Sequence, residues 1–223
     1  MRGKISEVFD SIQGEGIYMG ERHVFVRFFG CNLQCRYCDT KTLRYAEYEP
    51  GMLLDEVKRH QRISGIISYT GGEPLLQKDF LKEMMPLALK SNFKNYLETN
   101  GTLPDALAEI IDYVNVISMD VKLPSSTGLQ PFWDQHKKFL KIAHKKDVFL
   151  KTIVCESTTD ADIHELICMI EDTHLAVPLV FQPDSNVDIN LLKTKIEKYV
   201  SWCTSEGIAT CFIPQMHKLL GVK

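Results

Sequence analysis

The feature that most constrains this chain is an alternation. Short runs rich in Val, Ile, Phe and Tyr are separated by stretches of helical periodicity from residue 23 to residue 213. Strand-like runs cover residues 23–29, 65–69, 95–98, 114–121, 148–154, 178–181 and 208–213. Helical patterns cover residues 53–62, 79–90, 104–113, 132–144, 161–173 and 189–206. A strand that must cross over through a helix before it meets the next strand gives a parallel sheet with helices against it. The expected fold is α/β, a partial TIM-like barrel of the (β/α)6 type. Its 223 residues fall short of the roughly 250 of a full eight-fold barrel. Residues 1–223 read as one domain, since no repeat, low-complexity tract or Ser/Gly-rich linker divides them. Pro86 lies inside a helical pattern, so a kink or break is expected there, while Pro104 suits a first helical turn.

Composition excludes several classes. With 44% hydrophobic and 25% charged residues, the chain is neither disordered, collagen-like nor a disulfide miniprotein. A net charge of −3 gives no global basic field to recruit nucleic acid. No run of about 18 apolar residues predicts a membrane span, and residues 1–10 lack the apolar core of a signal peptide. A cytoplasmic protein without nucleic-acid or membrane partners is expected. Seven cysteines are too few for a disulfide scaffold, and a reducing compartment with a metal site explains them better.

Sites in parallel α/β folds form beyond the C-terminal ends of strands. The cysteine cluster follows the 23–29 run, TGGEP (70–74) follows the second run, and ETNG (98–101) ends the third. SMDVK (118–122) ends the fourth, and Gln182 ends the sixth. The motifs therefore converge on one rim.

Cys31, Cys35 and Cys38 have the spacing C-x3-C-x2-C. Zinc at a closed site takes four ligands, and a [4Fe–4S] cluster normally takes four thiolates. No fourth Cys or His lies nearby. Spacing alone leaves a cluster with one open iron, a zinc site completed by a distant His, or three buried cysteines. Cys155, Cys168, Cys203 and Cys211 fall in apolar patterns and read as core residues.

C-x3-C-x2-C with Tyr37 before its last Cys, followed at the right separation by TGGEP, resembles the radical S-adenosylmethionine (SAM) enzymes. IQGEG (12–16), Arg27, Asp39-Thr40 and the Gln215/His217 tail narrow the resemblance to the 7-carboxy-7-deazaguanine synthase family of the queuosine route. That resemblance implies a [4Fe–4S] cluster on Cys31, Cys35 and Cys38. Its free iron would bind SAM, which on reduction would yield a radical that abstracts a substrate hydrogen. It implies SAM contacts from Tyr37, Cys38, Asp39, Gly72, Glu73, Ser118, Asp120, Lys122 and Gln182. Thr40 would hold Mg²⁺, an ion that favours oxygen ligands.

The implied substrate is a carboxylated tetrahydropterin, 6-carboxy-5,6,7,8-tetrahydropterin. Arg27 would bind its carboxylate, or else form an internal ion pair. Ile12, Gln13 and Gly14 would present polar groups to the pterin edge, Glu15 would accept from its guanidine-like N–H groups, and Thr70 would sit beside them. Gln215, His217 and the carboxylate of Lys223 would close the pocket from a tail of residues 214–223. The product would be 7-carboxy-7-deazaguanine, with ammonia lost. A homodimer and an electron donor such as flavodoxin or ferredoxin are further implications. Two rival readings share part of the pattern: an activase that installs a glycyl radical on a partner enzyme, and a zinc-binding module.

Overall fold

The computed structural model describes residues 1–40, 44–60, 64–219 and 221. Its strands are β1 (Gly3–Ile12), β2 (Arg22–Phe28), β3 (Ala46–Tyr48), β4 (Ile66–Gly71), β5 (Lys94–Thr99), β6 (Val116–Asp120), β7 (Asp147–Val154), β8 (Leu179–Pro183) and β9 (Thr210–Phe212). All lie in one sheet, in the order β3-β1-β2-β4-β5-β6-β7-β8-β9. From β2 through β9 every neighbouring pair is parallel. The helices are α1 (Pro50–Lys58), α2 (Lys78–Lys90), α3 (Pro104–Ile110), α4 (Pro124–Thr127), α5 (Trp133–Ala143), α6 (Asp160–Glu171), α7 (Ile189–Ser205) and α8 (Met216–Leu219). A helix follows each parallel strand from β2 to β8, which is the expected α/β partial barrel. The end strands β3 and β9 do not pair with each other, so hydrogen bonds do not close it.

The sheet has two differently filled faces, because successive side chains of a strand point to opposite sides. On one face Val24, Val26 and Phe28 of β2, Ile67 and Tyr69 of β4, and Ile117 and Met119 of β6 pack against helix residues such as Leu53, Phe80, Leu107 and Phe139. Each such side chain contributes about 1.5–3 kcal/mol by leaving water. The other face is the lumen. Its floor is a smaller apolar cluster of Tyr96, Val116, Phe149 and Val180. Two residues further along the same four strands stand Glu98, Ser118, Lys151 and Gln182, all lining a cavity of about 610 Å³.

The alternation does not disclose β1 and β3. β1 (GKISEVFDSI) runs antiparallel to β2 and β3, and its Glu7 and Phe9 line the cavity. A strand whose inner face is partly polar loses the apolar signature by which strands are found. The helix containing Pro86 is unbroken from Lys78 to Lys90. Met84, Met85 and Ala88 are buried on either side of the proline, and their packing holds the helix through the lost hydrogen bond. Cys168 is exposed rather than core. In α6 the buried stripe is taken by Ile163, Leu166, Ile167 and Ile170, which turns Cys168 outward. Cys155 and Cys203 are buried as expected. Among the described residues, no helix is long and apolar enough to cross a membrane.

Candidate active site

The loop after β2 carries Cys31, Cys35 and Cys38, which are free thiols on one wall of the cavity. It is folded by local bonds. Cys31 Sγ accepts from Leu33 N at 3.4 Å, and Cys38 N donates to Cys35 O at 3.2 Å. Asn100, from the ETNG turn, donates to Asn32 Oδ1 at 2.9 Å, and Asn32 donates in turn to Thr102. Among the described residues, no three His, Cys, Asp or Glu side chains are gathered to grip a metal ion. Burial raises the Cys31 thiol and pushes Cys35 up to about 11. Three free thiols on a single short loop nonetheless supply three of the four thiolates an iron–sulfur cluster normally takes, which leaves one iron open to an outside ligand.

The TGGEP turn ends β4 beside this loop. A Cβ at Gly72 would meet the Gly30 carbonyl carbon at 2.5 Å and its oxygen closer still. Gly72 N donates to Phe28 O at 3.0 Å and Glu73 N to Gly30 O at 2.7 Å. Gly71 adopts φ +101°, a region open to glycine. These glycines therefore let two strand ends touch. Glu73 orients the turn. It is fully buried and accepts from Leu75 N, Thr99 Oγ1 and Asn100 N at 3.0, 2.8 and 2.8 Å. Burial holds its carboxyl up, at about 7, against those donors. It builds the turn beneath the cavity.

On the adjoining wall, Lys122 Nζ donates to Asp120 Oδ2 at 2.9 Å and to Tyr37 Oη at 3.3 Å. Burial opposes the Lys122 charge most strongly, but Asp120, Tyr37 and Cys35 together outweigh it and hold the ammonium well above its usual range. Among the described residues, Asp120 Oδ1 is buried without a hydrogen-bond partner. Among the described residues neither amide atom of Gln182 has one either, although the residue is 1% exposed and lines the cavity. A buried amide with no partner costs free energy that a ligand would recover.

The opposite half is held by β1, β2 and the tail. Arg27 Nε lies 3.6 Å from Glu7 Oε2, and its Nη1 donates to Thr40 Oγ1 at 3.3 Å. The ion-pair alternative for Arg27 is thus realised, within the cavity lining. Gln13 is committed internally: its amide donates to Glu98 Oε1 at 2.9 Å and accepts from Glu15 N at 3.1 Å. Thr70 Oγ1 donates to the other Glu98 oxygen at 2.7 Å. Glu15 accepts from Lys151, and from Gln215 Nε2 at 2.5 Å. Burial disfavours its charge, but Lys151, Gln215 and His217 together hold the carboxyl down at about 2. The tail docks as well. Met216 N donates to Gly14 O at 2.9 Å, His217 lies so close to Gly14 that a Cβ there would strike it, and Lys218 ion-pairs with Asp39. Lys223 lies outside the described residues.

Sequence reasoning assigned roles to neither Lys151 nor Glu98. Lys151 had a readable signal, a lysine inside the apolar run VFLKTIV, since buried lysines are rare unless paired. Glu98 stood in a recognised strand-end motif, but nothing in sequence shows that it bonds both Gln13 and Thr70.

A family model of the radical SAM superfamily matches residues 25–169. The chain is 36% identical to the 7-carboxy-7-deazaguanine synthase of Geobacter sulfurreducens, with 98% of this chain and 97% of the relative covered. It is 34% identical to the synthase of Methanothermobacter thermautotrophicus, with 100% and 99% covered. The crystal structure of QueE from Escherichia coli shares the fold at a TM-score of 0.66 and 22% identity, covering 95% of this chain and 94% of that one. Whole-length identity at this level, joined to the cysteine loop and the cavity it borders, places the chain in the 7-carboxy-7-deazaguanine synthase family of the radical SAM superfamily.

Proposed function

We propose that this radical SAM lyase converts 6-carboxy-5,6,7,8-tetrahydropterin to 7-carboxy-7-deazaguanine with loss of ammonia, using a [4Fe–4S] cluster, SAM and Mg²⁺. The supporting observation is one cavity with two chemically distinct halves. Three thiols and the Asp120–Lys122 pair line one half; Arg27, Glu15 and the docked tail line the other. Cys31, Cys35 and Cys38 would hold the cluster. When bound, the cluster and SAM supply the hydrogen-abstracting radical, and the protein orients the reactants and excludes water.

Tyr37, Cys38, Asp39, Gly72, Ser118, Asp120, Lys122 and Gln182 form the SAM half of this reading. The unpartnered amide of Gln182 is what a ligand would satisfy. In the substrate half, Arg27 would exchange Glu7 for the substrate carboxylate. Thr40, whose hydroxyl accepts from Arg27 Nη1 here, would hold Mg²⁺ beside that carboxylate. Glu15 would accept from the guanidine-like edge. Gln13 and Thr70, both anchored on Glu98, would shape the seat with Ile12 and Gly14. Gln215 and His217 close over it, and the carboxylate of Lys223 belongs to the same proposal. A tail seated on Gly14 and Glu15 suits a small substrate better than the inserted polypeptide an activase would need. A cytoplasmic homodimer served by flavodoxin or ferredoxin completes the reading.

The test is an anaerobic assay of the reconstituted protein with SAM, reductant, Mg²⁺ and the pterin. Formation of 7-carboxy-7-deazaguanine is expected. Failure to form it while 5′-deoxyadenosine appears with another substrate would overturn the assignment.

A further inference from the structure

Lys151 is 9% exposed, stands in the middle of β7 and lines the cavity. Its ammonium bonds Glu15 and lies 3.7 Å from Asp120 Oδ2. The second contact follows from topology, because Asp120 and Lys151 are register partners in the parallel β6–β7 ladder. The first reaches across the lumen to the loop after β1. Asp120 is already bonded to Lys122, and Lys122 to Tyr37 on the cysteine loop. Glu15 is bonded to Gln215 of the tail. Lys151 thus links the cysteine-loop half of the cavity to the half beneath the tail.

We propose that Lys151 is a positioning residue for the proposed reaction: it fixes the Glu15 carboxylate in the substrate half while tied to Asp120 in the cofactor half, so that substrate and SAM are seated in register. This inference rests on the functional reading above. The charge balance explains why a lysine is needed. Lys151 interacts electrostatically with Glu15, Asp120 and Glu98. Glu15 also faces Glu98 from β5, Asp39 from the cysteine loop, Tyr96 from the floor, and His217 with Gln215 from the tail. Without the ammonium, carboxyl groups face one another in a cavity of low dielectric constant, and the carboxylate that must meet the pterin N–H edge is neutralised or turned away. Removing Lys151 should therefore weaken substrate seating more than cluster or SAM binding, and alkaline pH should partly restore it by returning the Glu15 charge.

The experiment compares wild type, K151M and K151R as reconstituted holoenzymes between pH 6 and 9. It reads KM for the pterin and 5′-deoxyadenosine released per product. Wild-type turnover tests the functional reading by itself, and only the comparison of variants tests this inference. In K151M, KM is expected to rise about thirtyfold at pH 7, the loss of one charge-assisted contact, and to fall again toward pH 9. Wild-type KM stays flat over that range. Deoxyadenosine per product rises severalfold in K151M, and K151R returns both readouts to within about threefold of wild type. A K151M enzyme with KM within twofold of wild type, a KM raised equally at every pH, or unchanged coupling would each overturn the proposal. If K151M does not fold, the E15Q/K151M double variant, which removes both charges together, replaces it. There a raised but pH-independent KM is expected, and a wild-type KM refutes the inference.

Discussion

Replacing Gly72 with alanine tests whether the TGGEP turn is built by strand-end contact. A Cβ at this position would stand 2.5 Å from the Gly30 carbonyl carbon and 3.1 Å from its nitrogen. Ordinary contact begins near 3.4 Å, and neither neighbour is a side chain that can swing aside. The Gly30 oxygen is closer still, so one backbone must retreat by roughly 1.5 Å, an overpacking cost of about 1–3 kcal/mol. The same retreat stretches the Gly72 N to Phe28 O and Glu73 N to Gly30 O bonds, worth about 1 kcal/mol each. G72A should lose about 3–5 kcal/mol of stability. Because Gly30 immediately precedes Cys31, cluster retention should fall with it. Urea unfolding of the apoprotein and iron content after reconstitution measure the two effects. Gly51 is the control. It lies in the first turn of α1, where an added Cβ would meet nothing within 4 Å, so G51A should be neutral or stabilising by up to about 1 kcal/mol. A G72A protein within 1 kcal/mol of wild type and with full iron content would refute the close-contact reasoning.

Buried His23 and His136 are held neutral by burial, each pushed down to about 4. The unfolded chain takes up these protons near pH 6.5 and the folded chain only near 4. Each therefore destabilises the fold as pH falls through that window, by up to about 3 kcal/mol, and NMR should show both rings neutral at pH 5.5. Glu73 acts in the opposite sense: with its carboxyl held at about 7, it favours the folded chain as pH falls from 7 toward 4.5, so E73Q should flatten that part of a pH–stability curve. Glu98→Ala removes the shared anchor of Gln13 and Thr70 and should raise KM for the pterin about tenfold or more while iron content is unchanged. Cys31→Ala, Cys35→Ala or Cys38→Ala should each abolish the absorption near 400 nm of the reconstituted protein (roughly the thiolate-to-iron region), whereas Cys168→Ala, at an exposed position, should leave it intact.

Much of this architecture was legible because parallel strands of the interior are apolar on both faces near their starts. β4, β6, β7 and β8 announce themselves in that way. β1 does not, since its lumen face carries Glu7 beside Phe9, and a strand that serves a polar cavity forfeits the pattern that identifies strands. The cysteine loop, Arg27, Glu15 and the tail were found through motif and resemblance, and they line one cavity. What stayed hidden was partnership. Gln13 and Thr70 meet on Glu98, Glu15 meets Lys151, and Glu73 receives Asn100 N because chain segments 27 to 136 residues apart come together. No local pattern encodes such pairings.

The lumen also bears on how a molecule of this shape can change. Tyr96 and Glu98, Val116 and Ser118, Phe149 and Lys151, Val180 and Gln182 are each separated by one two-residue step, about 7 Å along a strand. Each strand is thus a ruler with a structural mark and a chemical mark. Exchanging the residue at the upper mark alters what the cavity recognises and leaves the lower mark packed. Inserting or deleting a single residue between them would swap the two faces of the strand and forfeit both. Specificity in this fold is free to drift by substitution, while the length of the strands is held fixed.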